Sequence, residues 1–211
     1  MSEVLIIDAG LGNIGSVINS FERMGANVVT EKEANNIDDK LISHIVLPGV
    51  GTYIEGMKSL NERGWFKWIT ENTRVRNKPM LGICLGMQLM SDDGTEGIET
   101  GDKIKGLGLI SGSVEKIRGD GLRLPHIGWN EVIWKTMNNN SVEVNGKDTD
   151  YYFVHSYHFV AKRKESIIGT VEYGEQIVAA VRNKNIIGVQ FHPEKSQKAG
   201  AQVIKNFLSM A

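Results

Sequence analysis

The chain carries one cysteine among its 211 residues, Cys84, and the residues around it are those of a nucleophile. The run Lys78-Pro79-Met80-Leu81-Gly82-Ile83-Cys84-Leu85-Gly86-Met87-Gln88 reads as a short apolar strand, a glycine-flanked turn and a helix start. G-x-C-x-G is the thiol counterpart of the G-x-S-x-G elbow, where glycines let two backbones pass at a sharp strand-to-helix turn. That placement gives a thiol a helix N-terminus, which favours the thiolate, and first-turn N–H groups able to hold an oxyanion. The opposing reading is a small buried hydrophobe.

A free thiol is only about 3% ionised at pH 7, so a nucleophile of this kind needs a base, and the base an orienting partner. The chain has five histidines. His192 ends the strand-like run 186–191, Pro193 stops the ladder, and Glu194 follows within reach of the imidazole. Cys84, His192 and Glu194 thus form a candidate nucleophile, base and orienter. The alternative is a strand-end histidine beside a solvated carboxylate. His44 opens an apolar strand and reads as a boundary residue. His126 either lines a cleft or bonds the backbone. His155 and His158 stand three apart on one strand-like stretch, so they point to opposite faces and do not build one metal site. A single cysteine excludes an internal disulfide and a Cys-based zinc site. Thiol chemistry calls for no metal and no cofactor.

The elements that must position these groups alternate in the first half. Strand-like runs at 4–7, 28–29, 44–47 and just before Cys84 interleave with helical spacing at 13–24, 53–60, 65–71 and from 85 onward. The second half is strand-rich, at 109–117, 131–134, 151–160, 167–172, 177–181 and 186–191. Turn signals Asn138-Asn139-Asn140, Asn145-Gly146 and Asn183-Lys184-Asn185 separate several of these. A last helix over 197–210 carries Ala201, Ile204 and Phe207-Leu208 on one side. The expected fold is α/β, a mostly parallel, doubly wound, flavodoxin-like sheet with a smaller antiparallel β element in the second half. With no linker, repeat or low-complexity tract, residues 1–211 read as one domain.

Composition sets the surroundings. With 24 basic and 25 acidic residues the net charge is −1, which leaves no footprint for nucleic acid or an anionic membrane. No apolar run nears the roughly 20 residues that span a bilayer, and the N-terminal run is too short and too acidic for a signal peptide. A soluble, cytoplasmic protein is the expectation. One motif points elsewhere. Gly10-Leu11-Gly12-Asn13-Ile14-Gly15 is a G-x-G-x-x-G after the first strand, with Glu31 where an acidic ribose ligand would stand. The competing account is a tight strand-to-helix turn at the edge of the sheet.

Five motifs occur in order: Pro48-Gly49-Val50-Gly51, Gly82 to Gln88, Pro125-His126-Ile127-Gly128-Trp129-Asn130, Phe153-Val154-His155-Ser156-Tyr157, and Gly188-Val189-Gln190-Phe191-His192-Pro193-Glu194-Lys195-Ser196. Together they resemble the class I (triad) glutamine amidotransferases, and within that class the glutaminase subunits of imidazole glycerol phosphate synthases. The resemblance implies that Cys84 attacks the side-chain amide of L-glutamine, that His192 moves the proton, and that Glu194 holds His192. It implies an oxyanion hole from the backbone N–H groups of Leu85 and Gly51, with a peptide flip at Val50-Gly51 able to gate turnover. Gly49, Val50, Gln88, Ser156 and Tyr157 match substrate-binding positions. Asn13, Trp129 and Lys195 match positions facing a cyclase subunit of (β/α)₈ fold, which receives the ammonia and makes imidazole glycerol phosphate in histidine biosynthesis. The stretch Ser91-Asp92-Asp93-Gly94-Thr95-Glu96-Gly97-Ile98-Glu99-Thr100, with Leu122-Arg123-Leu124-Pro125-His126, instead resembles a paralogous group that feeds a sugar-modifying amidotransferase in surface-polysaccharide synthesis. A free-standing γ-glutamyl hydrolase and a dinucleotide-binding module are the further alternatives.

Overall fold

The computed structural model describes residues 3–97, 102–119, 121–135 and 149–210. Its first part alternates β1 (Glu3–Ile7), α1 (Gly15–Arg23), β2 (Val28–Glu31), β3 (Ile42–Leu47), α2 (Tyr53–Glu62), α3 (Trp65–Arg74), β4 (Met80–Ile83) and α4 (Leu85–Leu89). Short strands β5 (Asp93–Gly94) and β6 (Ile104–Lys105) come next, followed by β7 (Gly112–Lys116), β8 (His126–Trp134), β9 (Thr149–His155) and β10 (Tyr157–Ala161). The chain closes with β11 (Ile167–Tyr173), β12 (Glu175–Asn183), β13 (Ile186–Val189) and α5 (Gln197–Leu208).

The main sheet has the order β2-β1-β3-β4-β13-β12-β11-β8-β9. It is parallel from β2 to β13 and antiparallel beyond. The apolar runs of β4 and β13 are buried on both faces, as a sheet covered by helices on either side requires. Alternate residues of β1 divide between two cores. Val4 and Ile6 pack with Val17, Phe21, Val203 and Phe207 under α1 and α5. Leu5 and Ile7 pack with Met57, Leu60, Trp65 and Ile69 under α2 and α3. The closing strand and helix therefore return to the first sheet, as the sequence predicts.

Several local expectations are refined. The spacing places the first helix from residue 13, but Asn13 Oδ1 accepts the Gly15 N–H at 2.9 Å and α1 starts there. The smaller sheet, β10-β7-β5-β6, is mixed rather than antiparallel, because Asp93-Gly94 runs parallel to Ser113-Val114. The stretch 151–160 breaks at Ser156 and sends β9 to the large sheet and β10 to the small one. β8 begins earlier than expected, since His126 already pairs with His155. The buried stripe of α5 is Ala199, Gly200, Val203, Ile204 and Phe207. The turn signals at 138–140 and 145–146 lie outside the described residues. Among the described residues no helix is long and apolar enough to cross a membrane.

The parallel strands bring the loops after β1, β3, β4 and β13 to one edge, beside the point where the strand order reverses. At the elbow between β4 and α4 a β-carbon on Gly86 would lie 1.8 Å from the Leu47 carbonyl oxygen, and one on Gly82 would lie 2.7 Å from Gly86 backbone. Neither neighbour is a flexible side-chain end. Gly86→Ala is therefore expected to cost about 1–3 kcal/mol or more, by overpacking against rigid backbone. Urea unfolding of the variant against the parent chain measures it.

Candidate active site

Cys84 occupies the elbow at φ 52° and ψ −108°, a left-handed backbone that L-residues disfavour by about 1–3 kcal/mol. Its N–H donates to the Val189 carbonyl at 2.8 Å, which ties the elbow to β13. The thiol is 6% exposed. α4 is only five residues long, so it aligns few peptide dipoles, and its oriented first-turn N–H groups matter more than its macrodipole.

His192 lies just past β13, with its N–H on the Tyr152 carbonyl at 2.9 Å. Its Nδ1 is 2.8 Å from Glu194 Oε1, and both side chains are 4% exposed. Ser196 Oγ donates to the His192 carbonyl at 2.6 Å and accepts the Tyr152 N–H at 3.0 Å. Gly200 lets α5 press on this turn, where a β-carbon would meet the Pro193 oxygen at 1.8 Å. Burial disfavours the charged ring, but Cys84 and Glu194 together outweigh it and hold His192 up at about 9. With Nδ1 engaged by the carboxylate, Nε2, which makes no hydrogen bond in the structure, is the ring nitrogen left for proton exchange with the thiol.

A cavity of about 200 Å³ opens over the thiol. Of the residues expected from the sequence, Val50, Gly51, Leu85, Gln88, Ser156 and Tyr157 line it with Cys84. Gly49 does not. It borders an adjacent void of about 30 Å³ with Asn13, His192 and Glu194. The Leu85 N–H is engaged by the Gly49 carbonyl at 3.3 Å, and the Val50 N–H by the Leu11 carbonyl at 3.0 Å. The expected oxyanion donor at Leu85 is thus occupied in this structure.

Sequence reasoning missed three lining residues, Glu96, Val154 and His155. Glu96 accepts the Tyr53 N–H at 3.1 Å, and burial, opposed by that hydrogen bond and aided by Glu55, raises its carboxyl above the usual range. No spacing marks it, because it sits on the loop after the two-residue β5. His155 and His126 form a buried pair, Nε2 to Nδ1 at 3.0 Å. His155 Nδ1 is 2.9 Å from the Tyr157 carbonyl and so must donate to it. That leaves Nε2 as acceptor, and His126 Nδ1 must carry the next proton. His126 Nε2 then accepts from Asn130 Nδ2 at 3.5 Å, a group also donating to the Glu172 carbonyl at 3.0 Å. His126 therefore bonds a side chain, where the sequence favours the backbone. Burial pushes His126 down to about 4, and burial with the neighbouring histidines pushes His155 down to about 3. His44 is partly buried, bonded to the Met210 carbonyl at 3.0 Å. Among the described residues no group of three or more His, Cys, Asp or Glu could hold a metal.

The expected partner-facing residues lie near one another. Trp129 is 48% exposed and stands edge-on to Tyr152, while Lys195 Nζ sits 5.5 Å above the Tyr152 ring. Ile127 and Ile133 are exposed on the same face of β8. Asn13 is exposed on the loop after β1. In that loop a β-carbon on Gly12 would lie 2.4 Å from Val50 Cγ2. Val50 thus packs against Gly12, which joins the glycine-rich turn to the loop after β3.

These histidines set a pH profile for stability. His126 and His155 are neutral when folded, so their contribution is complete above about 6.5 and is lost as pH falls toward 4 and 3. His192 acts in the opposite sense: its contribution is complete below about 6.5 and is lost as pH rises toward 9. The urea midpoint is expected to peak near pH 6.5 and fall on both sides, with a shallower acid limb in His126→Phe. Denaturation series from pH 4 to 9 test this.

Known proteins resemble this chain over nearly its whole length. The family model described as "Glutamine amidotransferase class-I" matches residues 5–211. The chain is 44% identical to the imidazole glycerol phosphate synthase subunit HisH 1 of Prochlorococcus marinus, over 98% of this chain and 97% of that one. It is 41% identical to the HisH subunit of Pelagibacter ubique, over 98% and 99%. Among solved structures, PurLQS from Thermotoga maritima superposes with a TM-score of 0.76 at 18% identity, over 98% of this chain and 97% of that chain, a likeness of fold. The chain belongs to the class-I glutamine amidotransferase family.

Proposed function

We propose that this chain is the glutaminase subunit of an imidazole glycerol phosphate synthase. It hydrolyses L-glutamine and passes the ammonia to a cyclase subunit of (β/α)₈ fold. The observation that carries the reading is the buried His192–Glu194 pair at 2.8 Å, electrostatically coupled to the strained Cys84, whose side chain lines a cavity sized for a small amino acid. Glutamine enters with its carboxamide over the thiol. Cys84 gives its proton to His192 Nε2, and the sulfur attacks the amide carbon. His192 returns the proton to the departing nitrogen, ammonia leaves, and a glutamyl thioester remains. Water, deprotonated by His192, hydrolyses the thioester to glutamate and restores the thiol. Glu96 lines the cavity and offers a carboxylate to the α-ammonium group of the substrate.

The oxyanion of both tetrahedral intermediates is assigned to the N–H groups of Leu85 and Gly51. Leu85 is engaged with Gly49 in the free chain, so residues 49–51 must shift before it can serve. One such donor is worth about 2.7–4 kcal/mol, or roughly 10²–10³ in rate, which makes this loop sufficient as a gate. Docking of the cyclase over Asn13, Trp129 and Lys195 supplies the occasion for the shift, since Val50 stands 48% exposed beside the same mouth. Identity to HisH subunits across nearly the whole chain supports a cyclase acceptor.

Glutamate release by the chain with an imidazole-glycerol-phosphate cyclase is the direct test. The complex is expected to turn over glutamine at least about a hundredfold faster than the chain alone. Cys84→Ala should abolish activity by more than about a thousandfold with the fold intact, and Trp129→Ala should weaken the complex on a sizing column. Full activity in Cys84→Ala would sink the thiol mechanism. Strong activity indifferent to the cyclase would favour a free-standing hydrolase, and stimulation only by a sugar-modifying amidotransferase would move the acceptor.

A further inference from the structure

Gln190 follows β13 and is fully buried, its N–H on the Ala179 carbonyl at 2.8 Å. Its carboxamide is directed at the sulfur. Nε2 lies 3.6 Å from Cys84 Sγ, and Oε1 accepts from Gln88 Nε2 at 3.0 Å. The orientation is forced by the far end of the chain of bonds. Gln88 Nε2 also donates to the Tyr157 carbonyl at 2.9 Å, and a carbonyl only accepts. Gln88 must therefore turn its NH₂ group toward both Tyr157 and Gln190. Gln190 can answer only with Oε1, which leaves its own NH₂ group on the sulfur. Reversing either amide would set like groups face to face. The Tyr157 carbonyl is in turn held by a second donor, His155 Nδ1, at 2.9 Å.

This donor gains strength when the thiol loses its proton. In the resting structure the thiol directs its hydrogen at the Val154 carbonyl, 3.9 Å away. Once the proton has moved to His192, the sulfur is purely an acceptor and Val154 has nothing to give it. An N–H facing a sulfur anion makes a stronger hydrogen bond than one facing a neutral thiol.

We propose that Gln190 is a catalytic residue: clamped by Gln88, its carboxamide donates to the Cys84 thiolate and fixes the sulfur for attack. The proposal rests on the reading of Cys84 as nucleophile, and its alkylation and resonance tests need neither glutamine nor a partner. The rate of Cys84 alkylation by iodoacetamide is followed against pH in the full chain. Gln190→Met keeps the length and removes the donor. It is expected to raise the alkylation midpoint by about one pH unit, and to lower kcat for glutamine about tenfold with KM changed less than about twofold. Gln190→Glu keeps the shape, faces the sulfur with an acceptor, and is expected to slow alkylation at neutral pH further. The parent chain gives an answer free of folding defects. The ¹⁵N side-chain resonance of Gln190 should move as Cys84 titrates and stay fixed in Cys84→Ala. A folded Gln190→Met with the parent's alkylation profile, or a Gln190 resonance indifferent to Cys84, overturns the proposal. A shifted alkylation profile in a protein without glutaminase activity upholds Gln190 as the thiolate donor and overturns the functional reading instead.

Discussion

Cys84 holds a backbone conformation that its own β-carbon opposes, and the surrounding fold exists in a form that can impose it. Three parallel strands do so without help from the cysteine side chain. β13 receives the Cys84 N–H through Val189, β3 presents the Leu47 carbonyl to Gly86, and within the elbow Gly82 lies against Gly86. A strain of about 1–3 kcal/mol is small against the burial of two apolar layers, so the sheet can carry it. The ends of the same strands also deliver the loop at 48–51 and the turn at 192–194. Cys84, the loop at 48–51 and the His192 turn are thus positioned by one set of interstrand bonds.

Electrostatics then separates residues that burial alone would treat alike. His126, His155 and His192 are all nearly inaccessible to water. Two of them are pushed down and the third is pushed up. The difference is local. His192 has a carboxylate at 2.8 Å and a thiol in coupling range, whereas the other two face each other, an amide and a carbonyl. A buried imidazole without an anion stays neutral and becomes a structural hydrogen-bonding group; with one it holds its proton more tightly.

The alternation of the first half, the elbow and the His192-Pro193-Glu194 end of β13 were legible in the sequence because each is local. A period, a glycine pair or a two-residue offset carries the information. What stayed hidden depends on contacts between distant segments. Glu96 reaches the cavity from a loop whose strand is two residues long, too short for any period. The pairing of His126 with His155 follows from the register of β8 on β9, and the break at Ser156 from a strand leaving one sheet for another. Gln190 reads as an ordinary buried strand residue until Gln88 and Tyr157 are placed beside it. The mixed small sheet escaped for the same reason, since its parallel contact joins segments some 20 residues apart.

The ladder from Asn130 through His126 and His155 to Tyr157 has terminal groups of a particular kind. One end is a carboxamide and the other a peptide carbonyl, neither of which gives up or takes a proton at neutral pH. Moving a proton along it would require both rings to change tautomer together and would leave the bare His155 Nδ1 facing the Tyr157 oxygen. The ladder therefore transmits orientation while blocking charge: it is a proton insulator that ends at His155 and Tyr157 on the cavity wall. A proton arriving at that wall finds no route through it.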